Sequence, residues 1–142
     1  FAETIVSMVQ SIPYSYIFPM SCQSPLIPSK YRNDIENGQL CMGNIKNGVA
    51  TPLEFFYNKK GDCDTRTVLL YTMLKRFGYD VVILNSNLYW HSIIGINLPA
   101  YGDFKLINGK KYFFWETTNT GWVLGDLPPG NKDISKWYLA LK

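Results

Sequence analysis

The chain has 142 residues, a formal charge of +3 and 46% hydrophobic residues, among them 8 Phe, 10 Tyr and 4 Trp. That is the length of one domain with one sizeable core, and the composition excludes a disordered chain. Its Lys and Arg residues are scattered, with only the pairs Lys59-Lys60 and Lys110-Lys111, so no basic stripe points to nucleic acid, and no apolar run nears the roughly 20 residues that span a bilayer.

The chain begins with Phe1 and carries no charged-then-apolar leader, so residues 1–142 read as one domain excised or processed from a longer chain, with flanking domains outside it. Residues 1–12 place Phe1, Ile5, Met8 or Val9 and Ile12 on one face, an amphipathic helix stopped by Pro13. Residues 19–52 are rich in Pro, Gly, Ser and Asn and read as a long irregular connection. From Asp62 a helix is marked at both ends. Asp62 suits the N-cap and Asp64 the first turn; Leu70, Met73, Leu74 and Phe77 supply an apolar face. Lys75 and Arg76 suit the last turn, and Gly78 the left-handed residue that ends it. The pattern then becomes β, with strands at residues 80–84, 91–96 and 111–117 and a fourth at Trp122-Val123-Leu124. Asn108-Gly109 signals a turn before the third strand, and the tail from Pro128 is loop followed by an unassigned segment at Trp137-Tyr138-Leu139. Helices first and an antiparallel sheet afterwards make the class α+β.

Three cysteines are present, an odd number. Cys22 and Cys41 lie in turn-rich sequence: either they close a disulfide across the irregular stretch in an oxidising compartment, or all three are thiols. Their spacing does not suit zinc. Cys63, in Gly61-Asp62-Cys63-Asp64, falls at the start of the second helix, where unpaired N–H groups and the helix dipole favour negative charge. Asp62 and Asp64 act in the opposite sense, by repulsion. A thiolate here needs a cationic partner, and imidazolium is the usual one.

The single histidine, His91, begins a strand. Antiparallel pairing of 91–98 with 111–117 sets Glu116 opposite it, where a carboxylate holds the ring in one tautomer and stabilises its charged form. The Cys63 backbone N–H is one donor for an oxyanion hole; Gln10 is a candidate for the second, with Gln23 and several asparagines as alternatives.

These residues resemble the transglutaminase-like superfamily, and most closely its bacterial transglutaminase-like cysteine peptidases. Gly61-Asp62-Cys63-Asp64-Thr65-Arg66-Thr67 resembles the nucleophile motif, His91-Ser92-Ile93-Ile94-Gly95-Ile96 the histidine strand, and Tyr112-Phe113-Phe114-Trp115-Glu116-Thr117-Thr118 the acid strand. Val9-Gln10-Ser11-Ile12-Pro13-Tyr14 is similar to the helix end carrying an oxyanion-hole glutamine, and Thr51-Pro52-Leu53-Glu54-Phe55 to the approach to the nucleophile. The resemblance implies a papain-like, transglutaminase-like core with the Cys helix packed on an antiparallel sheet bearing His and acid. It implies a Cys63–His91–Glu116 triad and a thioester intermediate on a peptide or protein substrate. Many members carry Asp as the third residue, whereas this chain offers Glu116. Neither the tryptophan that stabilises the oxyanion nor the acidic calcium sites of the animal transglutaminases has a counterpart, so Gln10 is the expected donor and no metal or other cofactor is expected. The expected activity is that of a cysteine peptidase, with transamidation as the other fate of the same thioester. A non-catalytic module binding protein or cell-wall peptide is the alternative, which an intact Cys-His-Glu set disfavours. The expected location, from the candidate disulfide and the family, is extracytoplasmic, periplasmic or secreted.

Overall fold

A computed structural model describes the whole chain, Phe1–Lys142. It is α+β, with four helices and a five-stranded antiparallel sheet at its centre. Helix α1 (Ala2–Gln10) is followed by two short parallel strands, β1 (Tyr16–Ile17) and β2 (Cys41–Met42), which flank helix α2 (Ser29–Glu36). Helices α3 (Pro52–Asn58) and α4 (Cys63–Arg76) lead into β3 (Val81–Ser86), β4 (His91–Ile96), β5 (Phe104–Ile107), β6 (Lys110–Trp115) and, at the C-terminus, β7 (Tyr138–Leu141). The sheet order is β5-β6-β4-β3-β7.

Both faces of this sheet are buried, and this explains why β3, β4 and β6 read as nearly continuous apolar runs. On one face Val81, Ile94, Ile96 and Trp115 pack against Ile5, Val6 and Val9 of α1, Phe55 of α3 and Leu69, Leu70 and Leu74 of α4. On the other, Val82, Leu84, Ile93, Tyr112 and Phe114 are covered by the C-terminal excursion through Leu127 and Trp137. Alternate residues of one strand thus serve two cores.

Helix α4 begins and ends where its local signals place it. Asp62 is the N-cap and its carboxylate accepts from the Thr65 N–H at 2.9 Å. Gly78 takes φ +84°, beyond Phe77 at the C-cap. Phe77, assigned to the apolar face from its spacing, is exposed instead and meets the equally exposed Phe1 edge to face, with ring centroids 4.6 Å apart.

Other expectations require correction. The stretch 19–52 holds α2, β2 and a 3-10 turn at Lys46–Gly48 within its irregular frame, and the cysteines at its two ends, Cys22 and Cys41, are joined as a disulfide. Trp122-Val123-Leu124 is not a strand; the Trp122 carbonyl accepts from the side chains of Gln10 and Trp115, not from a neighbouring strand. The fourth central strand is instead Phe104–Ile107, and the unassigned tail closes the opposite edge as β7.

Candidate functional site

Gly61 starts the geometry of the site. A Cβ there would lie 2.7 Å from a ring carbon of the fully buried Phe55, so only glycine allows this approach. Gly61 forms a parallel bridge with Tyr14, and its carbonyl accepts from the Ser15 N–H at 3.1 Å. The bridge sets the segment after α1 beside the head of α4, with Cys63 as the first helical residue, 8% exposed and with a free thiol.

Across from it stands His91, the first residue of β4. Its Nε2 lies 2.8 Å from Glu116 Oε2, and the ring lines one cleft together with Cys63. The imidazole further touches Trp137, with ring centroids 6.0 Å apart. The expected direct opposition of His91 and Glu116 does not occur. The observed register pairs Ile94 with Trp115 and Gly95 with Phe114, so Glu116 continues opposite Ile93. The offset from His91 is two residues, which keeps both side chains on the same face as diagonal neighbours.

Glu116, only 2% exposed, is held on its other oxygen. Oε1 accepts from the Thr117 N–H (2.8 Å), the Thr118 N–H (2.9 Å) and the Thr118 hydroxyl (2.8 Å). Burial alone would raise its pKa; the hydrogen bond and charge of His91, with the Thr118 donors, bring it below the ordinary carboxylate value. For His91 burial opposes the charged form, but the hydrogen bonds to Cys63 and Glu116 and the charges of both outweigh it and raise the pKa to about 10. The balance of these effects favours the imidazolium form of the ring at neutral pH. Asp62 is pushed up to about 6, chiefly by burial, against the lowering effect of its bonds from Thr65.

Gln10, the expected oxyanion donor, has its side-chain amide turned to backbone carbonyls. Its side chain is buried, and its Nε2 donates to the carbonyls of Glu116 (2.7 Å) and Trp122 (3.0 Å), which uses both amide hydrogens. It ties the end of α1 to the segment after β6. The Tyr14 phenol, by contrast, lines the same cleft as Cys63. Burial first, then the charges of Cys63 and Asp62, push the Tyr14 pKa above its ordinary value, so this hydroxyl stays a proton donor. Gln23 lies outside the site, where its side chain pairs with Ser21.

Arg66 has a structural part that its place in the nucleophile motif did not reveal. It is fully buried, and its guanidinium donates to the carbonyls of Gly61 (3.2 Å), Val9 (2.6 Å), Thr117 (3.2 Å) and Ile12 (2.5 Å). Those four carbonyls belong to the segments that carry Cys63, Gln10, Glu116 and Tyr14. One side chain thus fastens the segments around Cys63, Tyr14 and Glu116, and its buried cation adds to that of His91 in offsetting Asp62 and Glu116. An arginine in the first turn of a helix, two residues after an aspartate, gives no local hint of this, because its partners lie more than 50 positions away on three of the four bonds.

No family model matches the chain, and neither a curated protein nor a solved structure matches it. No helix is long and apolar enough to cross a membrane.

Proposed function

We propose that this chain is a cysteine-dependent hydrolase or acyl transferase of the transglutaminase-like kind, with a papain-like core, acting on amide bonds through a thioester. The observation that carries the reading is His91, hydrogen-bonded to the buried Glu116 and lining one cleft with Cys63 at the head of α4. A structural histidine needs one partner; a relay needs both.

In this reading the Cys63 thiolate attacks the amide carbonyl carbon. The carbonyl oxygen gains negative charge and is met by the Cys63 N–H, which has no acceptor within its helix, and by the Tyr14 hydroxyl. As the tetrahedral species collapses, the carbon–nitrogen bond breaks and His91 Nδ1 gives its proton to the leaving nitrogen. Glu116 keeps the ring oriented and remains ionised throughout. A water then adds to the thioester carbonyl, His91 takes its proton, and the thiolate leaves with the acyl group released as a carboxylic acid. An amine in place of water yields a new amide. The Cys22–Cys41 disulfide supports an oxidising compartment as the place of action.

The test is the rate at which iodoacetamide labels Cys63 between pH 4 and 10. The raised pKa of His91 makes its contribution fully present below about 6.5 and lost as pH rises through about 10. The lowered pKa of Glu116 makes its contribution present above the ordinary 4.5 and lost as pH falls through its folded value. Between those limits the ion pair is intact, so labelling at pH 6 is expected to exceed that of a model thiol, which is under 1% ionised there, by about a hundredfold. His91→Ala brings the rate down to the model thiol. Equal rates for wild type and His91→Ala at pH 6 would remove the catalytic reading.

A further inference from the structure

Cys63, Asp64 and Trp90 are shared by two adjoining clefts of different chemistry. One, of about 310 Å³, is completed by Asn85, Ser86, Asn87, Tyr138 and His91 and is rich in amide and hydroxyl groups. The other, of about 500 Å³, is walled by Tyr14, Tyr16, Phe18 and Tyr31 facing Trp90. The four rings on the first wall are half-buried and meet at steep angles, with centroids 5.9 Å apart for Tyr14–Tyr16, 5.0 Å for Tyr16–Tyr31 and 5.8 Å for Phe18–Tyr31. Such edge-to-face clusters leave ring faces available to a further ring.

Trp90 is the anomaly on the opposite wall. It is 80% exposed, the only largely exposed tryptophan of the chain, and its φ is +49°. In the β5–β6 turn the same backbone conformation is taken by Asn108, at φ +50°, with Gly109 after it, residues that tolerate it. A bulky ring held left-handed at a turn, in water, is a sparsely populated choice that the turn itself does not require. Its position between the clefts and beside the nucleophile supplies the missing requirement.

The mechanism also gives the clefts a direction. His91 protonates the leaving nitrogen, and His91 lines the polar cleft but not the aromatic one. His91 also lines a third cleft with Gln39, Thr118 and Asn119, so the leaving group lies in one of the His91 clefts and the acyl portion of the substrate in the aromatic one. Charge narrows the occupant further: Asp62 and Asp64 against Lys30 at the same cleft disfavour an acidic side chain.

We propose that the aromatic cleft is an acyl-side subsite that selects substrates bearing an aromatic side chain, with Trp90 as its specificity-determining residue. This rests on the acyl-transfer reading of Cys63 and gives that reading its substrate class.

The experiment uses three acyl-side alkylating probes on the full chain: the chloromethyl ketones of acetyl-Gly-Gly, acetyl-Phe-Gly and acetyl-Gly-Phe. In each the Cys63 sulfur displaces chloride from the methylene carbon, and each rate is divided by that of glutathione with the same probe. The faster aromatic probe is expected to exceed the Gly-Gly probe by about tenfold, in line with burial of one aromatic side chain. Trp90→Gly, in a backbone conformation that suits glycine, and Tyr31→Ala are each expected to lower that ratio at least threefold. A wild-type ratio below fivefold overturns the proposal, and so does a ratio kept within twofold of wild type by both variants. Should one variant fail to fold by circular dichroism, the other carries the measurement. The ratio is read against glutathione, so it reports on the subsite even if Cys63 is no more reactive than a model thiol at pH 6. Failure of the subsite and failure of catalysis are therefore separate results.

Discussion

The two walls of the site are built by different means. The wall that carries Cys63, His91 and Glu116 stands on the helix-covered face of the sheet, on the core beneath the C-terminal excursion, and on the buried Arg66 fork. The wall formed by residues 14–31 stands on a small cluster of Ile17, Met42 and Ala50, two strands of two residues each, and one disulfide. Helix α2, which presents Tyr31, buries no residue of its own. The candidate site residues are thus held by long-range packing, whereas the aromatic wall is held by a local staple. A nucleophile, base and acid must keep their distances to a fraction of an ångström; a binding wall tolerates adjustment.

That division predicts unequal responses to unequal cuts. The largest effect is expected for Arg66→Met, which leaves four carbonyls without their buried donor. A loss of about 3 to 5 kcal/mol in urea unfolding is expected, together with loss of the rapid Cys63 labelling at pH 6. A loss under 1 kcal/mol would show that the guanidinium does not hold the catalytic wall.

Next comes the double change Cys22→Ser with Cys41→Ser, which opens a loop 19 positions long. Chain entropy for such a loop sets an upper value of about 3 kcal/mol. The loss is expected to be local: hydrogen exchange quickens across residues 16–42 and stays slow in α4, β3, β4 and β6. Iodoacetamide labelling of Cys63 keeps its pH profile, while the aromatic preference of the probes declines. Equal loosening of both walls would erase the distinction between them.

The smallest effect, and one of opposite sign, is expected for Asp62→Asn. Asparagine caps a helix as well as aspartate does. The Asp62 pKa is raised from 3.8 to about 6, so its contribution is present below 3.8 and lost as pH rises through 6, and at pH 7 the buried charge is a net burden. The variant is expected to gain about 1 kcal/mol at pH 7 and nothing at pH 3, and to label faster at Cys63 because one opposing charge is gone. A loss of stability at pH 7 would mean that the charge of the cap outweighs its burial.

How far the molecule could be read in advance follows the range of the forces involved. The helix bearing Cys63 was legible because its signals act within a turn: Asp62 bonds its own Thr65, and Gly78 alone accommodates the chain's exit. Helix α3 is equally local in its signals, since Thr51 and Glu54 form a complete capping box with Pro52 at the first position. Helix α2 offered no such hint, having neither a side-chain cap nor a buried face.

Within the candidate site, the sequence by itself set Cys63 at a helix start and His91 at a strand start, because capping signals and strand patterning act locally. Period-two alternation even made the sharing of a face by His91 and Glu116 robust to a two-residue error in register. Only the tertiary structure decided which polar group lines the cleft beside Cys63. Gln10 and Tyr14 are four positions apart on one segment, and the choice between them was made by carbonyls of Glu116 and Trp122 more than 100 residues away. The same holds for Arg66, whose partners converge from three distant segments and its own loop. A buried donor goes wherever folding leaves an unpaired carbonyl, and that is a property of the packed chain, not of any stretch of it.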